Sequence, residues 1–414
     1  MKKLVALLLA LTLCIGLCAC GATAEKPADE TPATTGETET PATDAKDIKV
    51  GFIFLHDENS TYDLNFINAA KAAAAELGLS DDQIMMKTNI AESQACYDAA
   101  AELVDAGCDL VITDSFGHES FALAAAKEFP EVQFVSCTGV KAHTEGLSNF
   151  HNAFASIYEG RYLAGVAAGL KLNEMIENGD ITAEEAKMGY VGAYPYAEVK
   201  SGYTSFFLGA RSICPSVTME VTFTSSWYDE ALEKEAANKL INNGCVLISQ
   251  HADSMGAPTA CETAGVPNVS YNGSTVAACP NTFIVSSRID WTPFFVYAIN
   301  CVASGEDIGY DWTGTLATGS VVLTEVNEQA AAAGTVEKIA EVMKALEDGS
   351  VKVFDTATFT VNGETVTTYL ADVDDLGDYV GETEAISDGA FLESFYRSAP
   401  YFDLDIDGIT NLDA

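Results

Sequence analysis

Two segments of the chain, "GCDLVITDSFGHES" (Gly107–Ser120) and "GCVLISQHADS" (Gly244–Ser254), share one arrangement. In each, Gly-Cys leads into a short apolar run that stops at polar and aromatic residues. The similarity extends upstream, since both segments follow the pattern A-A-x-x-L-(V/I)-x-x-G-C. The helical spacing of Ala and Leu, a Gly at the helix end and a β-branched run indicate a helix, a turn and a buried strand. The chain is therefore expected to build the same unit twice.

Other segments of strand character alternate with helical stretches along the chain. This alternation favours parallel sheets that are covered by helices on both faces. Because there are two such series, each about as long as one doubly wound domain, we predict an α/β protein of two lobes. Ligands of such sheets bind beyond the carboxyl ends of the strands. "TDSFG" and "SQHADS" are thus expected to face each other across a cleft between the lobes, although simple solvated loops are the alternative. The other predicted strands are 48–55, 132–139, 187–194, 217–224, 266–273 and 282–290.

The composition excludes some classes of function. The 414 residues include 61 Asp and Glu but only 21 Lys and Arg, for a formal net charge of -40. A surface this acidic repels phosphate polymers and anionic lipid, so nucleic-acid binding is excluded. Apolar residues make up 48% of the chain, which is enough for a sizeable core.

The N-terminal residues are expected to lie outside the fold. Lys2 and Lys3 precede an apolar run with the length of a signal-peptide core, and "LCAC" then ends at Cys20. This pattern resembles a bacterial lipobox, so we predict a lipoprotein signal over 1–19 and lipidation of Cys20; an ordinary signal peptide that contains Cys is the alternative. Residues 20–46 hold the lipidated Cys20 and a segment rich in Thr, Ala, Pro and Glu, which we expect to be a disordered tether. The protein would then be extracytoplasmic and attached to the cell membrane by lipid alone.

Eight cysteines remain beyond Cys20. They show neither C-x-x-C spacing nor a dense framework, and most fall at strand starts or within helical patterns. Small buried apolar side chains are the favoured interpretation, and the sequence leaves disulfide pairing open.

Several motifs together resemble the basic membrane protein (BMP) family of substrate-binding lipoproteins, of the purine-nucleoside-receptor type. The resemblance runs from about residue 49 to about 324 and includes "YEGRYLAGVAAGL", "GYVGAYPYAEV", "SSWYDEALEKEAANKLI", "SQHADS" and "SYNGS". It implies a type I periplasmic-binding-protein fold that closes over a purine nucleoside or base, with an ABC permease and ATPase as partners. We expect lobe 1 to comprise 47–150 and about 286–325. Lobe 2 would comprise 151–285 and about 326–414, which includes a C-terminal extension.

A purine ring is flat, apolar on its faces and polar at its edge, so its site needs aromatic rings and fixed polar groups. The resemblance implies that Trp227 of "SSWYD" supplies one ring; a Trp of the core is the alternative. The opposing ring is expected from "HDENSTYDLNF", where the chain departs from the family pattern. Tyr62 is the best candidate there, with Asn59 and Asp57 as rim partners, unless Tyr62 packs under the following helix. The departure leaves the ligand open among a guanosine-like nucleoside, adenosine, free adenine and another small polar ring.

Polar and aromatic residues at the two repeated strand ends complete the candidate site. Ser115 and Phe116 end the first strand, and the resemblance implies that they line the cleft. His251 and Asp253 end the second. A carboxylate such as that of Asp253 can accept two hydrogen bonds from ribose hydroxyls or from a base amino group. Capping the next helix is the alternative role of Asp253.

Weaker candidates come from three further segments. Asn272 in "SYNGS" matches a ligand-contacting position of the family, but Asn-Gly is also a common turn. Trp291 lies near the expected hinge, where it would either wall the pocket or pack between the lobes. Tyr194, Tyr196 and Glu198 follow another strand and are plausible contacts.

The sequence favours a binding protein over an enzyme. The five histidines show no zinc spacing, and no nucleophile elbow, Walker A loop or dinucleotide fingerprint occurs. We therefore expect no cofactor and no metal, and a monomer. Two alternatives stay open: a ligand-sensing lipoprotein without transport, and a nucleoside hydrolase that uses His251 and Asp253 with Ser115 or Ser254 as nucleophile.

Overall fold

The computed structural model describes residues 48–374 and 381–413. The predicted signal segment, Cys20 and the tether lie outside the described residues. Within the described ranges, every helix is too short or too polar to cross a bilayer.

Two sheets organise the fold. The first has six strands in the order β11-β5-β4-β3-β1-β2, and the second has seven in the order β12-β10-β9-β8-β6-β7-β17. All neighbours within these sheets run parallel except β12, which is antiparallel to β10. The prediction of an α/β fold with parallel sheets is confirmed. The strands are β1 Val50–Ile53, β2 Ile84–Lys87, β3 Leu110–Thr113, β4 Gln133–Cys137, β5 Phe150–Ala155, β6 Lys187–Gly192, β7 Thr218–Phe223, β8 Leu247–His251, β9 Asn268–Tyr271, β10 Phe283–Ile289, β11 Asp311–Gly314, β12 Val321–Leu323, β13 Leu370–Ala371, β14 Thr383–Glu384, β15 Ile386–Ser387, β16 Ala390–Phe391 and β17 Ile409–Asn411.

The helices begin and end where local chemistry favours it. The Ser60 hydroxyl accepts a hydrogen bond from the Asp63 amide at the start of α1, and Gly78 ends that helix in the left-handed region (φ 68°). The Asp229 carboxylate accepts two amide hydrogen bonds at the start of α7. The helices are α1 Thr61–Leu77, α2 Gln94–Asp105, α3 Glu119–Glu128, α4 Ala142–Glu145, α5 Ile157–Asn178, α6 Ala197–Ile213, α7 Glu230–Asn242, α8 Gly256–Ala264, α9 Thr292–Ser304 and α10 Thr335–Glu347.

The two repeated segments form the same unit at equivalent places. Gly107 (φ 86°) follows α2 and Gly244 (φ 88°) follows α7, and both adopt the left-handed backbone that the turn requires. Cys108 and Cys245 are buried at the starts of the next strands. Strand β3 lies between β1 and β4, and β8 lies between β6 and β9. The repeat thus places one loop at the carboxyl end of a central strand in each sheet. All eight described cysteines are buried and free.

The chain passes between the sheets three times, after Ala155, after Ile289 and between Gly314 and Val321. The first two crossings fall a few residues beyond the predicted boundaries at 150 and 286. We refer below to the first sheet with its helices as lobe 1 and to the second as lobe 2; the predicted domain boundaries stay predictions.

The last part of the chain, the C-terminal extension (354–374 and 381–413), packs on lobe 2. Phe354 and Phe402 stack with ring centroids 4.5 Å apart, and both belong to the same apolar core as Phe206 of α6. Strand β17 adds to the edge of the second sheet beside β7.

Candidate ligand-binding site

A pocket lies between the carboxyl ends of the two sheets and contains about 390 Å³ of non-protein space, including its opening to solvent. Both lobes contribute side chains to it, from the ends of parallel strands, from the loops that follow them and from the first turns of α1 and α6. Its lining comprises Leu55, His56, Tyr62, Asp63, Ser115, Phe116 and Thr138 of lobe 1, and Glu198, Trp227, His251, Asp253 and Tyr271 of lobe 2.

Hydrogen bonds between the lobes close the cleft around this pocket. The Thr61 amide and hydroxyl both donate to the Asp253 carbonyl, at 3.2 and 3.1 Å. The Asn65 side-chain amide donates to the Asn272 carbonyl at 2.8 Å. These bonds join α1 of lobe 1 to the ends of β8 and β9, so the structure is that of a closed cleft.

Trp227 supplies an aromatic wall from lobe 2. Its indole is half-buried and lies beside Tyr194 (centroids 5.1 Å apart, 63° between planes) and Tyr196 (6.1 Å). The Trp227 carbonyl accepts a hydrogen bond from the Asp253 amide at 3.0 Å, which ties the two pocket residues together. The Tyr194 and Tyr196 rings thus hold the indole in place at the wall of the pocket.

Tyr62 lines the same pocket from lobe 1. Its hydroxyl donates to the Asp114 carbonyl at 2.6 Å, and its ring lies 5.0 Å from Phe66. Burial raises the pKa of Tyr62 well above its usual value, and the Asp114 carboxyl raises it further. Tyr62 therefore stays a neutral phenol whose ring is anchored at both ends.

Ser115 and Phe116 both line the pocket, but they differ in how available their side chains are to a ligand. The Ser115 hydroxyl donates to Glu92 at 2.5 Å, and the same carboxylate oxygen accepts the Gly117 amide. The Phe116 ring is 40% exposed and lies 5.7 Å from the Tyr196 ring of lobe 2. Phe116 and Tyr196 thus meet across the cleft at the edge of the pocket.

Asp253 is the buried carboxyl that lobe 2 contributes to the pocket. Its Oδ1 accepts a hydrogen bond from the Asn272 side-chain amide at 3.0 Å. Burial raises the pKa of Asp253 well above its usual range, and neighbouring carboxylates, Glu233 first among them, raise it further. A ligand that donates hydrogen bonds to this carboxyl would stabilise its charged form and lower that pKa.

His251 lies beside Asp253 in a neutral state. Burial lowers its pKa below the usual value, although a hydrogen bond with Glu198, 3.4 Å from Nε2, opposes the shift. Its Nδ1 lies 3.4 Å from the Tyr190 hydroxyl, and its ring lies 4.3 Å from that of Tyr271. The neutral imidazole offers one donor and one acceptor nitrogen.

Two carboxyl groups of lobe 1 form a pair at the pocket: Asp63, which lines it, and Asp114, which does not. Burial raises the pKa of Asp114 well above its usual range, and the adjacent Asp63 raises it further. Burial also acts on Asp63, but hydrogen bonds from His56, Asp114 and Ser60 outweigh it and lower the pKa of Asp63. The two pKa shifts run in opposite directions, so the environment favours the protonated form of Asp114 and the charged form of Asp63.

Four of the ten principal candidates of the sequence analysis do not line the pocket. Asp57 and Asn59 lie outside it and bond to each other, with the Asn59 amide 2.8 Å from an Asp57 oxygen. Asn272 orients the Asp253 carboxyl from behind and adopts a left-handed backbone (φ 65°). Trp291 is 1% exposed and stacks on Phe66 in the core of lobe 1, because its ring turns inward at the start of α9. The other six, Tyr62, Ser115, Phe116, Trp227, His251 and Asp253, line the pocket together. Of the further plausible contacts, Glu198 lines the pocket, whereas Tyr194 and Tyr196 do not.

Thr138 is a lining residue that the sequence analysis missed. It follows β4 in a left-handed backbone (φ 65°), which is rare for a β-branched residue. Its hydroxyl is buried, and no described residue offers it a hydrogen-bond partner. Such strain and an unused polar atom are characteristic of functional positions. No local pattern marks Thr138, because "SCTGV" reads as an ordinary strand end.

One group of residues in the described ranges has side chains close enough together to hold a metal ion: Asp372, Asp374 and Glu382 of the C-terminal extension. None of the three lines the pocket. The pocket itself combines aromatic rings with a carboxyl, an imidazole and hydroxyl groups, which suits the recognition of a small polar ring.

Two lobes of parallel sheet that close over such a pocket define a two-lobed substrate-binding protein. Residues 55–353 match the family model of the PnrA-like ABC transporter substrate-binding proteins (Bmp). The chain belongs to this family, as its motifs indicated, and it is a binding protein rather than an enzyme. Substrate-binding proteins of ABC transporters work outside the cytoplasm, together with a permease and an ATPase.

Individual relatives agree with this assignment. A purine-binding protein of Brucella abortus (strain 2308) is 31% identical over 261 residues, which cover 62% of this chain and 69% of the relative. A putative ABC transporter glucose-binding protein of Haloferax volcanii is 31% identical over 217 residues, and the match spans about half of each chain (52%). A solved solute-binding protein of Aeropyrum pernix K1 superposes with a TM-score of 0.61 at 17% identity, over 74% of this chain and 93% of its own. A solved solute-binding protein of Conexibacter woesei DSM 14684 superposes with a TM-score of 0.58 at 19% identity, over 74% of this chain and 98% of its own. The structural matches concern the fold alone.

Proposed function

We propose that this protein binds a purine nucleoside or a purine base between its lobes and delivers it to an ABC importer. The base would lie against the Trp227 indole, with Tyr62 on the side of lobe 1. The Asp253 carboxyl would accept hydrogen bonds from the ligand, and His251 would supply a further donor or acceptor. Lobe closure buries the rings and the carboxyl together, so a ligand that bonds to both lobes favours the closed state.

The single observation that supports the proposal best is the juxtaposition of Trp227 and Asp253. An aromatic face and a buried carboxyl, joined by one backbone hydrogen bond, match the flat face and the polar edge of a purine. The relationship to the purine-binding protein of Brucella abortus supports the same ligand class.

The proposal also includes membrane attachment through Cys20 and import rather than sensing. The lipobox pattern supports the anchor, and mass spectrometry of the protein from its native membrane checks it. The expected result is an N-terminal peptide that begins at diacylated Cys20, which a Cys20→Ala variant loses. A ligand-dependent increase in ATP hydrolysis by the permease and ATPase in proteoliposomes separates an importer from a sensor.

Calorimetric titration of the purified protein with nucleosides, free bases, hexoses and amino acids tests the ligand class. We expect binding of at least one purine and none of glucose at the same concentrations. Tight binding of a hexose without any purine would contradict the proposal. Chromatography of the bound nucleoside after incubation tests the hydrolase alternative, and we expect the nucleoside to be recovered intact.

A further inference from the structure

The C-terminal extension lies beyond residue 353, where the match to the family model ends. It is fixed to lobe 2 by its stacked phenylalanines, by β17 and by polar contacts with α6. Lys200 lies 2.7 Å from the Asp403 carboxylate, and the Ser201 hydroxyl bonds to Glu393. The extension therefore moves with lobe 2.

The same extension also bonds to lobe 1. His143 of α4 has its Nε2 2.8 Å from the Val373 carbonyl, so its N–H can donate to that oxygen. The Ser398 amide donates to the Asp311 carboxylate at 2.8 Å, at the start of β11. His143 and Asp311 are themselves neighbours, with Nδ1 and Oδ2 3.9 Å apart. Two parts of the extension thus meet one small patch of lobe 1.

This patch is far enough from the hinge to be sensitive to opening. Asp311 precedes the crossing at Gly314 by three residues of strand, about 10 Å. A rotation of about 15°, as in other rigid-body transitions, would displace it by about 2.5 Å. Hydrogen bonds of 2.8 Å do not survive such a displacement. These bonds are present in the closed cleft, and a rotation of this size would break them.

The extension also covers a second compartment beside the ligand pocket. Phe116 and Lys141 of lobe 1, Tyr196 of lobe 2, and Tyr369 and Tyr401 of the extension line this space, which holds about 1620 Å³ including its opening to solvent. Phe116, Thr138 and Glu198 line both spaces and therefore lie between them. A ligand that left the pocket past these three side chains would enter a space that the extension covers.

We infer that the C-terminal extension is a latch: its bonds to His143 and Asp311 hold lobe 1 closed over the ligand and slow ligand release. His143 and Asp311 are positioning residues, because neither lines the pocket. The measurement of ligand dissociation depends on the proposed purine ligand, whereas lobe closure can be measured without any ligand.

The test compares His143→Ala/Asp311→Ala with the wild type by stopped-flow kinetics, with adenosine and guanosine as probes. One hydrogen bond of ordinary net strength corresponds to about two- to tenfold in a rate. We expect the dissociation rate to rise about tenfold or more in the double variant and by less in His143→Ala, with the association rate unchanged or faster. Asp311→Asn keeps an oxygen for the Ser398 amide and should release at close to the wild-type rate. Lys352→Ala is the matched control, since Lys352 bonds to the Asp388 carbonyl within the chain that packs on lobe 2.

Small-angle X-ray scattering of the same variants without ligand provides a second, independent test. We expect a larger radius of gyration for the double variant than for the wild type or Lys352→Ala. Thermal unfolding and circular dichroism verify that each variant is folded. Because His143 is half-exposed, we expect the single variant His143→Ala to fold even if the double variant does not. If neither nucleoside binds the wild type, the proposal of a nucleoside ligand is wrong, and scattering alone decides on the latch. Unchanged scattering together with an unchanged dissociation rate in folded variants would overturn the latch.

Discussion

The loop after β3 and the loop after β8 come from the same sequence unit, yet they contribute differently to the pocket. In the β8 loop, His251 and Asp253 both face the pocket. In the β3 loop, the carboxyl of Asp114 turns inward instead, where Oδ1 accepts the Leu55 amide at 3.0 Å. The Ser115 hydroxyl donates its hydrogen bond to Glu92. The comparison teaches that a repeated unit positions a loop at the strand end, whereas its neighbours decide which side chains remain free for a ligand.

The largest difference between the two loops should appear on removing their polar groups. We expect Asp253→Ala to weaken nucleoside binding by about 10- to 100-fold, since a hydrogen bond to a charged group contributes about 1.5–3 kcal/mol. Ser115→Ala should weaken it by less than about fivefold, because its hydroxyl already has a partner in Glu92. Isothermal titration calorimetry with the best purine ligand measures both. Equal losses in the two variants would contradict the asymmetry.

A second contrast concerns tryptophans that the sequence alone does not distinguish. Trp227→Ala should weaken binding by about tenfold or more, because one base stacked on an aromatic ring contributes about 1–3 kcal/mol. Trp291→Phe should lower the melting temperature and leave affinity unchanged, since that ring packs in the core of lobe 1. Calorimetry and thermal unfolding of both variants check this. An unchanged affinity in folded Trp227→Ala would remove the indole from the ligand site.

The raised pKa of Asp253 predicts a pH dependence of binding. If the ligand bonds to the carboxylate, a proton on Asp253 competes with it, so affinity should fall as the pH falls below that raised pKa. Because one proton is involved, the affinity should fall by at most about tenfold per pH unit. Titrations between pH 5 and 8 measure this, and Asp253→Asn should flatten the profile. Asp57→Asn, outside the pocket, should keep the wild-type slope; a flat wild-type profile would show that the neutral carboxyl binds the ligand.

The smallest expected effect is on the stability of the protein, and it concerns Asp114 in the loop after β3. The pKa of Asp114 is higher in the folded than in the unfolded chain, so its contribution to stability is greatest at low pH. That contribution is lost as the pH rises toward the raised value. Asp114→Asn has no such proton to lose, so its melting temperature relative to the wild type should increase from pH 5 to pH 8. Differential scanning fluorimetry measures the difference, with exposed Asp81→Asn as control. A difference that shrinks with pH would mean that Asp114 is ionised.

Much of the fold follows from local patterns. The two Gly-Cys units, the alternation of helix and strand, and the two sheets were all predicted, because helix ends and buried strands have short-range signatures. The candidate site was predicted less well. Trp291 and Asn272 follow strands as expected, but one turns into the core and the other stands behind Asp253. Thr138 was missed, since its backbone strain arises from packing that no neighbouring residue reveals.

The sequence by itself determined the order of helices and strands, the parallel sheets and the loops in which a ligand site must lie. These features depend on periodicity and turn chemistry within a few residues. Only the tertiary structure decided which side chains meet in the pocket, that Asp253 is buried among other carboxyls, and that the C-terminal extension reaches lobe 1. These depend on residues far apart in the chain, whose contacts and burial exist only once both lobes have packed.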